Sequence, residues 1–195
     1  MDSTYEVKPV EGLRGVMLNR IQYPILQFID GTILTNPRFF KKIYDGYGFS
    51  VSHRFDDVAS DGVVQVWFEN PNNSKREIYI IVVEIVSTGR ARADVYRNNT
   101  KTSSGTELTP VNLNLGSSIS SVINVEYNGA YTLGNLVHNT VIPGGSHIRA
   151  IGSVVEVGES VIIPEGYNLI IQVINKSTSA EDISIRILWF EEEVS

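Results

Sequence analysis

Residues 161–192 read VIIPEGYNLIIQVINKSTSAEDISIRILWFEE. Within them Leu169, Ile171 and Val173 form one apolar face. After the polar connector 175–180, Ile183, Ile185, Ile187 and Trp189 face one way while Asp182, Ser184 and Arg186 face the other. Successive side chains on a strand point to opposite faces, so a period of two describes two strands with one apolar face each. Pro164-Glu165-Gly166, ahead of them, is turn chemistry.

The same pattern extends upstream. Val64, Val66 and Phe68 alternate with Gln65, Trp67 and Glu69, and Asn70-Pro71-Asn72-Asn73-Ser74 ends that strand with turn residues. Residues 77–86 are almost continuously apolar, which predicts a strand buried on both faces. Ser87-Thr88-Gly89 turns the chain. Ala91, Ala93 and Val95 then alternate with Arg92, Asp94 and Tyr96, giving a small apolar face and a wet one. Residues 98–105 read as a polar loop. Strands are expected over 121–127, closed by the turn pair Asn128-Gly129, over 132–137, and over 147–155 after Pro143-Gly144-Gly145. Short strands separated by turn signals, with no helix of ordinary length required, predict an all-β antiparallel β-sandwich, in the form of a double-sheet jelly roll. No internal repeat points to a propeller or solenoid.

Residues 1–40 differ. Their apolar stretches, 16–18 and 24–29, are broken by Pro9, Pro24 and Pro37. Asp30-Gly31 reads as a two-residue hairpin turn between 26–29 and 32–34, or else as an ordinary loop. The expected organisation is an N-terminal arm or extension, 1–37, followed by a sandwich domain, 38–195. Ile25, Phe28, Ile33, Phe39 and Phe40 are the candidate interface residues of this region. Burying one such side chain is worth roughly 1.5–3 kcal/mol. They are therefore expected to pack on a neighbouring subunit, the alternative being the sheet of their own.

Composition limits the functions available. Of 195 residues 42% are hydrophobic and 19% charged, enough for a real core. The formal net charge is −6, and Lys41-Lys42 and Lys75-Arg76 are the only adjacent basic pairs, which argues against a nucleic-acid partner. There is no cysteine, so disulfides, thiolate metal sites and cysteine nucleophiles are excluded. Residues 1–8 are too polar for a signal peptide. The longest apolar run, 78–83, falls well short of the ~20 residues of a membrane helix, so no membrane association is expected.

Candidate chemistry is sparse. His53, His138 and His147 lack metal-ligand spacing, although a Pro-Gly-Gly turn separates the last two. Asp56, Asp57 and Asp61 lack the acidic ladder of a calcium loop. Glu191-Glu192-Glu193 alternate in direction on a strand and read as a solvated terminal run. Gly144-Gly145-Ser146-His147 has no phosphate-binding context, and no GxSxG elbow is present. Triplets at 72–74, 98–100 and 175–177 fit glycosylation sequons. Trp67 and Tyr131 are the aromatics that a sugar-binding groove would use, although core packing is the favoured role for such residues. No catalytic residue, cofactor or metal is expected; the chain reads as a structural or binding module.

Three segments carry a family resemblance: FFKKIYDGYGFSVSHRF (39–55), VYRNNTKTSSGTELTPVNLNL (95–115) and the 161–192 segment. In order and spacing they resemble virion structural proteins of tailed bacteriophages and related viruses. Gly105-Thr106, Leu108-Thr109-Pro110, Asn112 and Asn114 match the family's mid-chain pattern. Pro164, Gly166, Asn175, Ser177, Asp182-Ile183-Ser184, Trp189 and Glu191 match its terminal one. Phe190 stands where Tyr is usual, and residues 115–118 lack the expected Arg-Asn pair. The resemblance implies a capsid decoration or cement protein, assembled into the virion in the host cytoplasm. It also implies a homotrimer in contact with the major capsid protein. The alternative is a receptor- or carbohydrate-binding module of a fibre or baseplate, with Trp67 or Tyr131 facing the ligand.

Overall fold

In the computed structural model the described residues are 25–29, 32–35, 38–143, 151–153 and 161–194. The chain divides into two compact units, Met1–Pro37 and Arg38–Ser195. In the first, strands β1 (Ile25–Ile29) and β2 (Thr32–Thr35) pair antiparallel, with Phe28 opposite Ile33 and Ile29 opposite Thr32. The Asp30-Gly31 turn lies outside the described residues, as do the side chains of Ile25, Phe28 and Ile33.

The second unit begins with one short helix, α1 (Arg38–Tyr44). The strands that follow are β3 (Gly48–Val58), β4 (Val63–Glu69), β5 (Arg76–Ser87), β6 (Ala91–Arg97), β7 (Thr100–Ser103), β8 (Thr106–Glu107), β9 (Val111–Asn112), β10 (Asn124–Tyr127), β11 (Ala130–Thr132), β12 (Asn135–Ile142), β13 (Ile151–Ser153), β14 (Val161–Ile163), β15 (Asn168–Asn175) and β16 (Glu181–Glu193). One sheet has the order β12-β6-β15-β4-β10-β8. The other has the order β13-β5-β16-β3-β9, with β14 also on β5, and β7 and β11 form a separate ribbon. Every pairing is antiparallel.

The two sheets pack face to face as an antiparallel β-sandwich. Phe68 of β4 meets Trp189 of β16 edge to face, with ring centroids 5.0 Å apart, and both are fully buried. The period-two residues line this core: Val64 and Val66; Ala91, Ala93 and Val95; Leu169, Ile171 and Val173; Ile183, Ile185 and Ile187. Such burial, at roughly 25 cal/mol per Å² of apolar surface, is the main source of stability.

Three sequence expectations are corrected. Residues 77–86 are buried on one face, not two. Leu188 pairs with Val82 and Trp189 with Ile80, leaving Ile81 as a bulge. The extra residue shifts the alternation, so Ile78 and Ile80 before it and Val83 and Ile85 after it all reach the core, while Tyr79, Val82 and Glu84 stay half-exposed. The polar stretch 98–105 is not all loop, because residues 100–103 pair with β11 as a ribbon. The strand expected over 132–137 is divided between β11 and the longer β12, which runs on to Ile142.

Candidate functional site

Trp67 and Tyr131 come together, though not as an open groove. Trp67 lies on the outer side of β4, beside Glu126 of β10 and Ile170 of β15 in register. An outward indole on a wet face should be accessible, yet Trp67 is only 2% exposed and Ile170 is fully buried. The β7–β11 ribbon supplies the cover. Tyr131 stacks on Trp67 at 5.2 Å with a 16° interplanar angle, and Lys101 Nζ sits 5.3 Å from the indole centroid. Trp67 is one of the two aromatics a ligand groove would use, with core packing its favoured role; Tyr131 and Lys101 of the ribbon cover it. Tyr131 is half-buried.

Polar groups surround the stack. Trp67 Nε1 donates to Glu69 Oε2 at 3.3 Å. Lys101 Nζ is 3.1 Å from Glu126 Oε1 and 3.8 Å from Glu69 Oε2; the Glu126 contact is an ion pair, not an aligned hydrogen bond. Gly105 N–H donates to Glu126 Oε2 at 3.2 Å. Burial first, and then the nearby Glu126 carboxylate, push the Tyr131 phenol up to about 12, against the opposing Gly129 N–H bond. The cluster is thus an aromatic pair flanked by one ammonium and two carboxylates.

One end of the outer side of the other sheet is covered by α1. Phe190 is 3% exposed, although it points away from the core, because Tyr79 stacks on it at 4.7 Å and Phe39 packs at 6.3 Å. Arg38 lies 4.5 Å over the Tyr79 ring, and Arg38 and Lys42 both pair with Glu192. Phe39, a candidate interface residue, therefore covers the sheet of its own chain. Phe40 does not: it is 57% exposed, and on the same helix Tyr44 is 83% exposed. Leu115 is 89% exposed in the 113–117 turn, which Asn114 ties to the end of α1 by donating to the Tyr44 carbonyl at 2.9 Å. Phe40, Tyr44 and Leu115 are thus exposed apolar side chains on two connected pieces of backbone.

Several of the residues carrying the resemblance fix turns, while Ile183 and Trp189 are core residues of β16. Asn112 Nδ2 donates to the carbonyls of Gly46 and Ile119 at 2.8 and 2.9 Å, and its Oδ1 accepts from Asn114 N–H. A Cβ at Gly105 would collide with the Tyr127 carbonyl oxygen, so glycine is needed there. Tyr167 N–H donates to the Pro164 carbonyl across a turn in which Gly166 has φ +79°. Asn175, fully buried, donates from Nδ2 to the carbonyls of Val58, Ala59 and Ser179 and accepts from Ser177 N–H. Asp182 accepts from Asp57 N–H.

Glu191 corrects the expectation of a solvated terminal run. It is fully buried, and its carboxylate accepts from Ser121 Oγ at 2.6 Å, Val122 N–H at 3.2 Å, Trp189 Nε1 at 3.2 Å and Arg76 Nη1 at 2.6 Å. Alternation separates it from Glu192 but not from Glu193, which has the same parity. The available signal was register: on β16 it shares a face with Trp189.

His53 stacks on Tyr127 at 3.9 Å, where burial lowers its pKa against the opposing pull of Asp56. His138 is exposed on β12, and His147 lies outside the described residues. Asp57, near the end of β3, and Asp61, in the turn after it, adopt positive φ, and among the described residues no group of three or more His, Cys, Asp or Glu could hold a metal ion. No described helix is long and apolar enough to cross a membrane. The chain matches no protein-family model, no curated protein and no solved structure.

Proposed function

We propose that this chain is a virion structural protein, a capsid decoration or cement protein. It binds the major capsid protein by surface contact, without catalysis, as a homotrimer assembled in the host cytoplasm. The observation that supports this reading is the exposure of three apolar side chains, Phe40, Tyr44 and Leu115, on two stretches of backbone joined by the Asn114–Tyr44 hydrogen bond. A contact surface gains affinity from apolar groups that are already fixed before binding. The resemblance to bacteriophage virion proteins supplies the class of partner. A jelly roll is our reading of the topology. The orders β3-β16-β5-β14 and β4-β15-β6-β12 support it, with the chain crossing between sheets at every step along β3, β4, β5 and β6 and again along β12, β14, β15 and β16, while β6 and β12 share one sheet. Electron microscopy of virus particles with and without the protein tests the function. Density at regular lattice positions is expected, and its absence would refute the proposal.

The Trp67 cluster favours a second reading, a carbohydrate-binding module of a fibre or baseplate. An aromatic face flanked by carboxylates suits a sugar, provided the β7–β11 ribbon moves aside. Saturable binding on a glycan array, lost in Glu69→Gln with the fold intact, would favour it over the cement reading.

A further inference from the structure

Each sheet of the sandwich ends in edge strands: β8 and β12 in one, β9 and the β13/β14 pair in the other. Edges are templates for pairing with another chain, and a very short edge strand is one protection against that. β8 and β9 are two residues long, and β13 and β14 three each. β12 has eight residues and, among the described residues, pairs only with β6. Its sequence, NLVHNTVI, contains no Lys, Arg, Asp, Glu or Pro to blunt it. Leu136, Val137 and Val141 are 50%, 46% and 62% exposed. A bulge at Val137 interrupts the pairing with β6, but beyond it residues 138–142 run in unbroken register opposite Val95 to Ala91.

We propose that β12 pairs antiparallel with β12 of a second copy, about a two-fold axis normal to the sheet, so that two sandwiches share one continuous sheet. Charge permits a copy of the chain at this edge, and a self-complementary register favours one. Chains of net charge −6 repel one another, so self-contact requires a surface without free carboxylates. β12 has none, and the Asp94 carboxylate beside it on β6 is already paired with Arg92 at 2.8 Å. Geometry fixes the register. A two-fold normal to the sheet keeps each face on its own side only if the axis lies midway between a residue and its own copy, and the centre of the regular stretch is Thr140. Thr140 then faces its own copy, a favourable cross-strand pair; Asn139 faces Val141, and His138 faces Ile142. This contact is separate from the three-fold assembly proposed above. It links one trimer to the next, or two chains where no trimer forms.

The chain has no cysteine, so single-cysteine variants probe the contact cleanly. Thr140→Cys in the full chain, under mild oxidation at micromolar concentration, is expected to give a disulfide-linked pair on a non-reducing gel. Thr102→Cys, exposed on the β7–β11 ribbon, is the control and is expected to stay uncrosslinked. Val141→Lys, at an exposed position that leaves the fold intact by circular dichroism, is expected to lower the Thr140→Cys crosslinking rate at least tenfold. Crosslinking of Thr140→Cys no faster than the control, or unchanged by Val141→Lys, overturns the proposal. Neither result depends on whether the protein binds a capsid.

Discussion

Arg76 Nη1 donates to Glu191 Oε2 at 2.6 Å, along a diagonal between neighbouring strands β5 and β16. The carboxylate is fully buried while the guanidinium side chain keeps 17% of its surface exposed. The pair therefore anchors an inside group to the rim of the sandwich, and the Arg76 guanidinium also lies 5.2 Å from the Tyr47 ring centroid. Removing the carboxylate strands Ser121, Val122 and Trp189 donors together with a cation. Glu191→Ala is expected to cost about 3–5 kcal/mol, the range for breaking a buried ion pair. Glu191→Gln keeps an acceptor and should cost less. Urea unfolding measures both; equal and small losses would mean that the network contributes little.

The Tyr131–Trp67 stack gives an optical test of the ribbon. Tyr131→Ala removes an aromatic pair worth about 0.5–1.5 kcal/mol beyond its area and uncovers the indole. Acrylamide quenching should rise and the emission shift to the red, because Trp189 stays in the core. In a Trp67→Phe background the same substitution should change neither. Unchanged quenching in the Trp67 protein would show that something other than Tyr131 covers the indole.

Asn175 is expected to be among the most sensitive polar positions. Its amide closes the turns after β3 and β15 from a site with no solvent exposure. Asn175→Ala leaves buried carbonyls without donors, at about 1–3 kcal/mol for an unsatisfied group. Asn175→Asp, which puts a carboxylate oxygen where the donating amide nitrogen faces those carbonyls, should lose more. Thermal unfolding of the two variants ranks them, and the reverse order would contradict the hydrogen-bond assignment.

Acid should weaken the fold in two windows. Burial lowers the pKa of His53 below 6.5 in the folded chain, so the unfolded chain takes up the proton more readily. Stability from this site is present above 6.5 and is lost as pH falls through the folded value. Burial acts to raise the pKa of Glu192, but its bonds with Arg38 and Lys42 outweigh that and lower it. Its contribution is present above 4.5 and disappears as pH falls further. The urea midpoint should begin to drop as pH falls below about 7, and His53→Phe, which keeps an aromatic ring on Tyr127, should flatten that first drop. A His53→Phe profile parallel to the wild type would remove His53 as its cause.

Deleting residues 1–37 should leave a folded sandwich, because the hydrophobic core among the described residues, from Phe49 to Trp189, belongs to the second unit. A cooperative unfolding transition in the truncated chain is the expected result. If the first unit also forms the trimer contact, the truncated protein will lose its trimeric mass by light scattering while keeping that transition.

Local order was legible in the sequence because it depends on near neighbours. Alternation placed Val64, Val66 and Phe68, and later Ile183, Ile185 and Ile187, on one face of each strand before any partner was known. The positions at Asn128-Gly129 and Pro164-Glu165-Gly166 read as turns from their own backbone preferences, and both Asn128 and Gly166 adopt positive φ. What covers a face is a different quantity. Period two marks Trp67 and Phe190 as outward, and both are outward, yet they are buried by Tyr131 and Phe39, which come from distant parts of the chain. Alternation puts Glu191 on the Trp189 face with Glu193, and Glu191 alone of the two is buried because Ser121, Val122 and Arg76 converge on it. The bulge at Ile81 likewise needed the register against β16 to be visible. The alternation of side chains follows from the backbone itself, whereas the burial of an outer face or of a charge depends on which remote segment the fold lays over it.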